Sequence, residues 1–230
     1  MPSPRRMSRE DRRASFLDVA AALIDEAGIG ALTFESLADA AGVAKTLPYA
    51  YFDSNDEILL TLFDRVIGNI DGQVESVLSS DDDFETIIRL SLDVWFDAAR
   101  DHGRLVGALL DGRSFPGLGA AVKRRDRASH KLWHDLVVDR FGLADREGHL
   151  LAAMLNATAT STIELWIARK GSRSGLVASF VTLASAAAVS ATAAGSGALP
   201  GATSAKVVTI LADFVTTSLL TGSMVRSMSS

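Results

Sequence analysis

Residues 33–52, with the sequence TFESLADAAGVAKTLPYAYF, decide the fold of this chain. Thr33 can N-cap a helix, because its hydroxyl can accept a hydrogen bond from a backbone N–H group that the helix start leaves unpaired. The apolar residues that follow recur every three or four positions and form one helical face: Phe34, Leu37, Ala38 and Ala41. Gly42 stands where helices commonly end in a left-handed residue, a conformation that glycine adopts without strain. The stretch therefore predicts a short helix closed by a tight turn.

The second half of this stretch predicts another short helix, from about Lys45 to Phe52. Leu47 and Phe52 are expected to face inward, and the side chains left outside are those of Lys45, Thr46, Tyr49 and Tyr51. Two short helices joined by a tight turn are typical of a helix-turn-helix, whose second helix lies in the DNA major groove. An ordinary hairpin in an all-α core has the same spacing, so spacing alone leaves both interpretations open.

The flanking segments carry a more specific signal. They are AALIDEAG at 21–28, LTFESLADAAGV at 32–43, KTLPYAYF at 45–52 and SNDEILL at 54–60. Together, between residues 12 and 66, these segments resemble the TetR family of bacterial transcriptional regulators. The resemblance implies an all-α fold, in which an N-terminal three-helix helix-turn-helix head precedes a helical domain that binds a small molecule and dimerises. It also implies that ligand binding releases the DNA.

The resemblance assigns DNA contacts to the helix-turn-helix and to the start of the next helix, at Thr33, Ala44, Lys45, Thr46, Pro48, Tyr49, Tyr51 and Asn55. Ala44 is a departure from the family pattern, because Ala at an N-cap costs about 1 kcal/mol relative to Ser or Thr. Pro48 is expected to tighten or bend the start of the helix. Ala50 stands where the family often has a larger polar residue. These departures bear on which operator is read more than on whether DNA is bound.

The helix after the recognition segment begins at Ser54 and Glu57, which are spaced as a capping box. Its N-terminal N–H groups are able to hold a DNA phosphate. The family often has Lys where Asn55 stands, so the phosphate contact predicted here comes from the backbone.

Basic charge is concentrated at the N-terminus. The net charge is −5, yet the first thirteen residues contain Arg5, Arg6, Arg9, Arg12 and Arg13. A small basic head on an acidic body predicts phosphate contacts from these arginines. A solvated basic terminus is the alternative. The helix that follows is expected to begin at a capping box formed by Ser8 and Asp11.

The composition excludes several classes of protein. Hydrophobic residues make up 48% and charged residues 22% of the 230 residues, which is typical of a globular chain rather than a disordered one. The absence of cysteine excludes disulfides and thiolate nucleophiles and is compatible with the cytoplasm. The N-terminus lacks the apolar segment of a secretory signal. No catalytic motif occurs, so the chain is not expected to be an enzyme or to need a cofactor.

The predicted organisation is a DNA-binding domain at 1–53, or about 8–65 with the start of the connecting helix, and a helical ligand-binding and dimerisation domain at 54–230. Helices at about 175–194 and 202–221 are the candidates for a homodimer interface, although they are equally able to form the core of one subunit. No charge occurs between residues 174 and 205. That segment is rich in Ala and Ser and only weakly hydrophobic, which favours helix packing in a cytoplasmic protein over a membrane span.

The middle helices supply the candidate ligand-binding residues. An apolar cavity is expected among aromatic and aliphatic side chains, with polar groups that orient the ligand. The candidates are Trp95, His102, Leu109, Phe115, Trp133, Asn156, Thr158 and Trp166. For the aromatic residues, packing in the core explains the same pattern.

Three side chains in the segment 126–134 are spaced as metal ligands could be. His130 and His134 are one helical turn apart, and Asp126 lies one turn earlier, so the three side chains can meet one ion. The segment HKLWH lacks the glutamate of the zinc-protease motif, and the sequence shows no further ligand. No metal site is therefore predicted.

These observations lead to one interpretation of function. The chain is expected to be a ligand-responsive transcriptional regulator, most simply a repressor that a small hydrophobic molecule releases from a palindromic operator in double-stranded DNA. The alternative is a helical scaffold that binds proteins without specific DNA binding.

Overall fold

A computed structural model describes residues 7–113, 116–168 and 170–195. Within these residues the chain is all-α and contains no strand. The helices are α1 Arg9–Ala27, α2 Phe34–Ala40, α3 Asn55–Leu62, α4 Gly68–Leu78, α5 Phe84–Leu110, α6 Pro116–Phe141, α7 Asp145–Ile167 and α8 Arg173–Gly195. Short 3-10 turns at Ile29–Ala31 and Pro48–Ala50 and a π-helical segment at Phe63–Ile67 complete the described structure. The predicted fold class is confirmed.

The chain forms two compact units. Of the described residues, the first unit contains those up to Gly72 and those in Asp97–Arg125, and the second contains Gln73–Phe96 and those from Asp126 onward. The boundary between these units does not fall at residue 53, the predicted end of the DNA-binding domain. Part of α5 and part of α6 belong to the first unit together with the N-terminal helices. A functional boundary at residue 53 remains a prediction.

The first unit is organised around α1. Its buried face consists of Phe16, Leu17, Ala20 and Ile24, and it packs against α2 and α3. The C-terminal end of α1 is tied to the second half of α5, since the Asp25 carboxylate accepts the backbone N–H of Leu105 over 3.1 Å. In the same unit, Arg125 of α6 holds both carboxylate oxygens of Asp71, at 3.1 and 3.0 Å.

The second unit has an apolar core in which α7 packs along α8. Phe84 and Phe141 meet edge to face, 4.9 Å between ring centroids. Arg173, at the start of α8, binds the carboxylate of Asp93 over 2.6 Å. Trp95 and Trp133 are buried here.

Helix boundaries follow local sequence signals closely. Ser8 and Asp11 form the predicted capping box at the start of α1, and Thr33 caps α2 as predicted. The Ser54 hydroxyl accepts the N–H of Glu57, but the Glu57 carboxylate accepts the N–H of Asp53 over 2.7 Å instead of returning to Ser54. The predicted capping box at Ser54 is therefore only half formed.

Among the described residues, two helices are long and apolar enough to cross a membrane by length and composition alone. They are Asp145–Ile167, with mean hydropathy 1.2, and Arg173–Ala193, with mean hydropathy 1.8. Core helices of globular proteins meet the same criteria, so this is weak evidence for a membrane. The predicted last helix, at 202–221, lies outside the described residues.

Candidate nucleic-acid interface and ligand-binding residues

The first part of the helix-turn-helix is built as predicted. The Thr33 hydroxyl accepts the backbone N–H of Ser36 over 3.0 Å, and the Ser36 hydroxyl accepts the N–H of Thr33 over 2.9 Å. Leu37 and Ala38 are buried against the rest of the head. After α2, Gly42 has a φ of +64°, the left-handed conformation that closes the turn.

The recognition segment differs from the α-helix predicted over residues 45–52. The backbone makes successive i to i−3 bonds, from Leu47 to Ala44 and from Ala50 to Leu47, and only Pro48–Ala50 forms a short 3-10 helix. Pro48 explains the difference, because it has no N–H to bond Ala44 and its ring excludes the carbonyl that an α-helix would place there. The segment is therefore a string of tight turns.

Tyr49 is the most prominent side chain of this segment. Its ring stacks on that of Phe34, with 4.3 Å between centroids and 17° between planes. The residue is nevertheless 65% exposed. An exposed aromatic ring fixed on one face is suited to contact a base edge or a deoxyribose on the other.

Lys45 is exposed and forms an ion pair with Glu35 at the start of α2. This contact and the nearby charge of Asp39 raise the pKa of Lys45, and the hydrogen bond and charge of Lys45 lower the pKa of Glu35. Lys45 therefore remains cationic, as a phosphate contact requires. Glu35 would compete with a phosphate for it.

Arg9 and Arg13 make contacts within the head that the sequence analysis did not predict. Arg13 donates to the carbonyl of Tyr51 over 3.1 Å and to the carboxylate of Glu57 over 2.9 Å. Its guanidinium also lies over the Phe52 ring, 4.3 Å from the centroid. Arg9 donates to the carbonyl of Ala50 over 2.9 Å. Both arginines hold the C-terminal end of the recognition segment, a role that spacing along the chain does not reveal.

The remaining predicted DNA contacts differ in exposure. Tyr51 is half-buried and packs on Phe16, 5.4 Å between ring centroids. Pro48 is buried, so it shapes the segment rather than offering a surface. The side-chain amide of Asn55 donates to the carbonyl of Leu32 over 3.1 Å. Four of the predicted residues are exposed together with Tyr49: Thr33, Ala44, Lys45 and Thr46.

The predicted ligand-binding residues are distributed over both units. Leu109 is buried and His102 is exposed in the first unit. The second unit contains Trp95, Trp133, Asn156, Thr158 and Trp166. Phe115 lies outside the described residues. These assignments remain predictions.

Contacts within the second unit explain several of these side chains as packing. Trp166 lies against Phe96, 5.1 Å between ring centroids. The Thr158 hydroxyl donates to the carbonyl of Met154 one turn earlier, over 2.7 Å. Thr158 also lines a small cavity between α7 and α8, bordered by Leu155, Phe180 and Ala184 among others, whose free volume of about 10 Å³ is that of a single water.

Comparison with known proteins agrees with this geometry. Residues 16–62 match the model of the family described as bacterial regulatory proteins, tetR family. The chain is 24% identical to the HTH-type transcriptional activator FasR of Mycolicibacterium smegmatis over 164 residues, which are 70% of this chain and 75% of FasR. It is 30% identical to the HTH-type transcriptional regulator EthR of Mycobacterium tuberculosis over 107 residues, 44% of this chain and half the length (50%) of EthR.

Solved structures show the same fold. A tetR-family transcriptional regulator from Streptomyces coelicolor has a TM-score of 0.65 at 21% identity, covering 90% of this chain and 91% of its own. SmeT, in its complex with triclosan, has a TM-score of 0.55 at 19% identity, covering 66% of this chain and 78% of its own. The match over residues 16–62 identifies the helix-turn-helix of this chain as that of the tetR family of bacterial regulatory proteins, and the described residues share the all-α fold of these solved structures.

Proposed function

We propose that this chain is a DNA-binding transcriptional repressor that a small hydrophobic molecule releases from its operator. The observation that carries the proposal is the exposed surface formed by Lys45, Thr46 and Tyr49. This surface lies on a segment whose far end is held by Arg9 and Arg13. A rigid, partly cationic surface on a helix-turn-helix is suited to the major groove.

The proposed working form is a cytoplasmic homodimer that binds a palindromic operator. Two heads related by a two-fold axis must lie about 34–36 Å apart to enter successive major grooves. The proposed interface includes α8, which has no charged residue after Arg173. Only 33% of the most apolar 18-residue stretch of this helix is buried, and Val189 is 69% exposed. A second copy would cover this surface.

The proposed effector is a small molecule bound by the domain at 54–230. A ligand that binds better to a dimer with a different head spacing must weaken DNA binding, and DNA must weaken ligand binding by the same factor. SmeT, a protein of the same fold, has been solved with triclosan bound. That example supports a hydrophobic ligand without identifying the one used here.

The test is a gel-shift with the DNA upstream of the chain's own gene, at several salt concentrations. Wild type is compared with Tyr49→Ala and with Tyr49→Phe, which keeps the stacked ring. We expect tight binding by wild type that falls steeply with salt, because cationic side chains displace counterions from phosphates. Tyr49→Ala should lose the preference for this DNA over random DNA, and Tyr49→Phe should keep most of it.

A selection from genomic fragments completes the test, because the operator need not lie upstream of the chain's own gene. If no fragment is enriched, the proposed function fails and the scaffold alternative is favoured. A reporter placed behind any selected fragment distinguishes repression from activation.

A further inference from the structure

Three of the four histidines of the chain meet at the corner between α6 and α7. His130 and His134 lie on α6, and His149 lies on α7 with Asp145 one turn before it. The His134 Nε2 atom is 3.3 Å from Asp145 Oδ1, and the His149 Nε2 atom is 3.6 Å from Asp145 Oδ2. His134, Asp145 and His149 each have one potential ligand atom that lies within 4.8 Å of those of the other two residues.

The close approach of the two helices depends on Gly148. A Cβ atom at this position would lie 2.4 Å from Val138 Cγ2 and 3.2 Å from His134 Nε2. Because glycine has no side chain, the imidazole of His134 can lie directly against the first turns of α7. The corner itself is short, since α6 ends at Phe141 and Gly142, with a φ of +62°, reverses the chain before Asp145.

One ring nitrogen in this cluster is not satisfied by protein. His134 Nε2 is buried and has no hydrogen-bond partner, since its contact with Asp145 lacks hydrogen-bond geometry. Buried polar atoms are normally paired, so an unpaired one needs an explanation. A buried, unpaired ring nitrogen beside a carboxylate is explained if both bind one cation.

The Nδ1 atom of His134 has a carboxylate partner, as metal-bound histidines usually do, and the Nδ1 atom of His149 has a second imidazole as its partner. His134 Nδ1 lies 3.3 Å from the carboxylate of Asp135, and His149 Nδ1 lies 3.2 Å from His130 Nε2. When Nδ1 donates its hydrogen to such a partner, Nε2 is left as a lone-pair donor with a fixed direction. Both Nε2 atoms then face the carboxylate of Asp145.

We propose that His134 Nε2, His149 Nε2 and the Asp145 carboxylate bind a divalent transition-metal ion of the zinc class, with Asp135 and His130 as supporting residues. Two imidazoles favour such an ion over Mg²⁺ or Ca²⁺, which prefer oxygen ligands. Ligands about 2.0–2.1 Å from a tetrahedral ion are separated by about 3.3–3.4 Å. The observed separations of 3.3 and 3.6 Å are close to that value. The site does not depend on the proposed function.

The competing interpretation is a cluster of hydrogen-bonded histidines and carboxylates that binds no metal. Asp145 is 81% exposed and His149 is 54% exposed, so water can solvate both side chains. In this case zinc would bind no better to the cluster than to any exposed histidine. His102, the remaining histidine, is exposed in the other unit and provides a matched control.

The test uses the full chain without a histidine tag. Zn²⁺ is titrated by calorimetry near neutral pH, and Co²⁺ is added separately to report coordination by its visible absorption. We expect one equivalent of Zn²⁺ per chain and the intense absorption of tetrahedral Co²⁺. His134→Gln and His149→Gln should abolish this binding, and His130→Gln should weaken it by about 10- to 100-fold, as removal of a supporting residue does. His102→Gln should bind as wild type does.

Asp145→Asn tests the site even if the histidine variants fail to fold, because this exposed side chain can be changed without disturbing the core. It should lower zinc affinity at least about tenfold while the thermal unfolding of the metal-free protein stays unchanged. The proposal is overturned if wild type shows no saturable single equivalent. It is also overturned if the variants at residues 134, 145 and 149 bind Zn²⁺ as tightly as His102→Gln does.

Discussion

Tyr49 stacks on Phe34, 4.3 Å between ring centroids, so that the first residue of α2 holds the most exposed aromatic ring of the recognition segment. The two residues are fifteen positions apart on either side of the turn. We predict that Phe34→Leu weakens specific DNA binding by about 2- to 12-fold, which corresponds to the 0.5–1.5 kcal/mol of an aromatic pair. Fluorescence anisotropy with the selected operator measures the change.

Phe84→Leu is the matched control for this variant, because Phe84 also pairs with an aromatic ring but lies in the second unit. Its operator affinity should equal that of wild type. Equal affinities for Phe34→Leu and wild type would show that the stacked position of Tyr49 is irrelevant to DNA binding.

Glu35→Gln is expected to tighten DNA binding. Glu35 holds Lys45 in an exposed ion pair, and a phosphate must replace it when Lys45 turns to DNA. Removing this competitor should raise affinity by roughly 1.5- to 5-fold, the range of an exposed pair. Asp64→Asn removes the same charge outside the helix-turn-helix, so a larger gain in that variant than in Glu35→Gln would contradict the prediction.

Arg13→Ala separates a structural role from a phosphate contact. Arg13 binds Tyr51 and Glu57 inside the head, so its loss should lower the stability of the protein by about 1–3 kcal/mol and weaken DNA binding. The slope of log affinity against log salt should stay unchanged, because no phosphate contact is removed. Lys45→Ala should instead make the slope shallower by about 0.9. If Arg13→Ala made it equally shallow, Arg13 would be a phosphate contact.

Gly148→Ala should destabilise the protein by about 1–3 kcal/mol, the cost of overpacking, because the new Cβ would meet Val138 at 2.4 Å. Chemical denaturation measures this loss. Adding Val138→Ala should restore part of it by removing the obstructing methyl group. Gly107→Ala is the control, since nothing lies within 4 Å of its Cβ position and alanine favours the helix. A Gly148→Ala protein as stable as wild type would refute the close helix contact.

Asp83 should make the free energy of unfolding vary with pH in the acidic range. Its carboxylate accepts the N–H of Thr86 over 2.9 Å and the Thr86 hydroxyl over 2.7 Å, and these bonds lower its pKa below the usual 3.8. A lowered folded-state pKa contributes stability above the unfolded-state pKa, and this contribution is lost as pH falls through the folded-state value. Asp83→Ala should therefore lower the melting temperature near neutral pH, and the difference from wild type should shrink at strongly acidic pH. Asp81→Ala, which removes a carboxylate from the same loop, is the matched control.

The order and extent of the helices follow from signals within a few residues of each boundary. Ser8, Thr33 and Gly42 act through their own hydroxyl or backbone conformation, so their positions identify the start of α1 and both ends of α2 directly. The apolar spacing of α1 likewise predicts its buried face, including Phe16 and Ile24. Pro48 shows the limit of this reasoning. The sequence indicates a disturbed helix start at Pro48. Whether the residues around it form an α-helix or a series of 3-10 turns depends on the contacts of the whole segment.

The sequence by itself determined the all-α class, the helix-turn-helix and the exposed positions of Lys45, Thr46 and Tyr49, because capping and periodicity act over one or two helical turns. Only the tertiary structure decided that Arg13 supports the recognition segment from 38 residues away. Only it brought Asp145 and His149 to His134, where spacing along the chain had offered Asp126 and His130 and no further ligand. Such partners depend on how one helix packs against another, and the chemistry of a side chain does not reveal which distant residue folding will bring beside it.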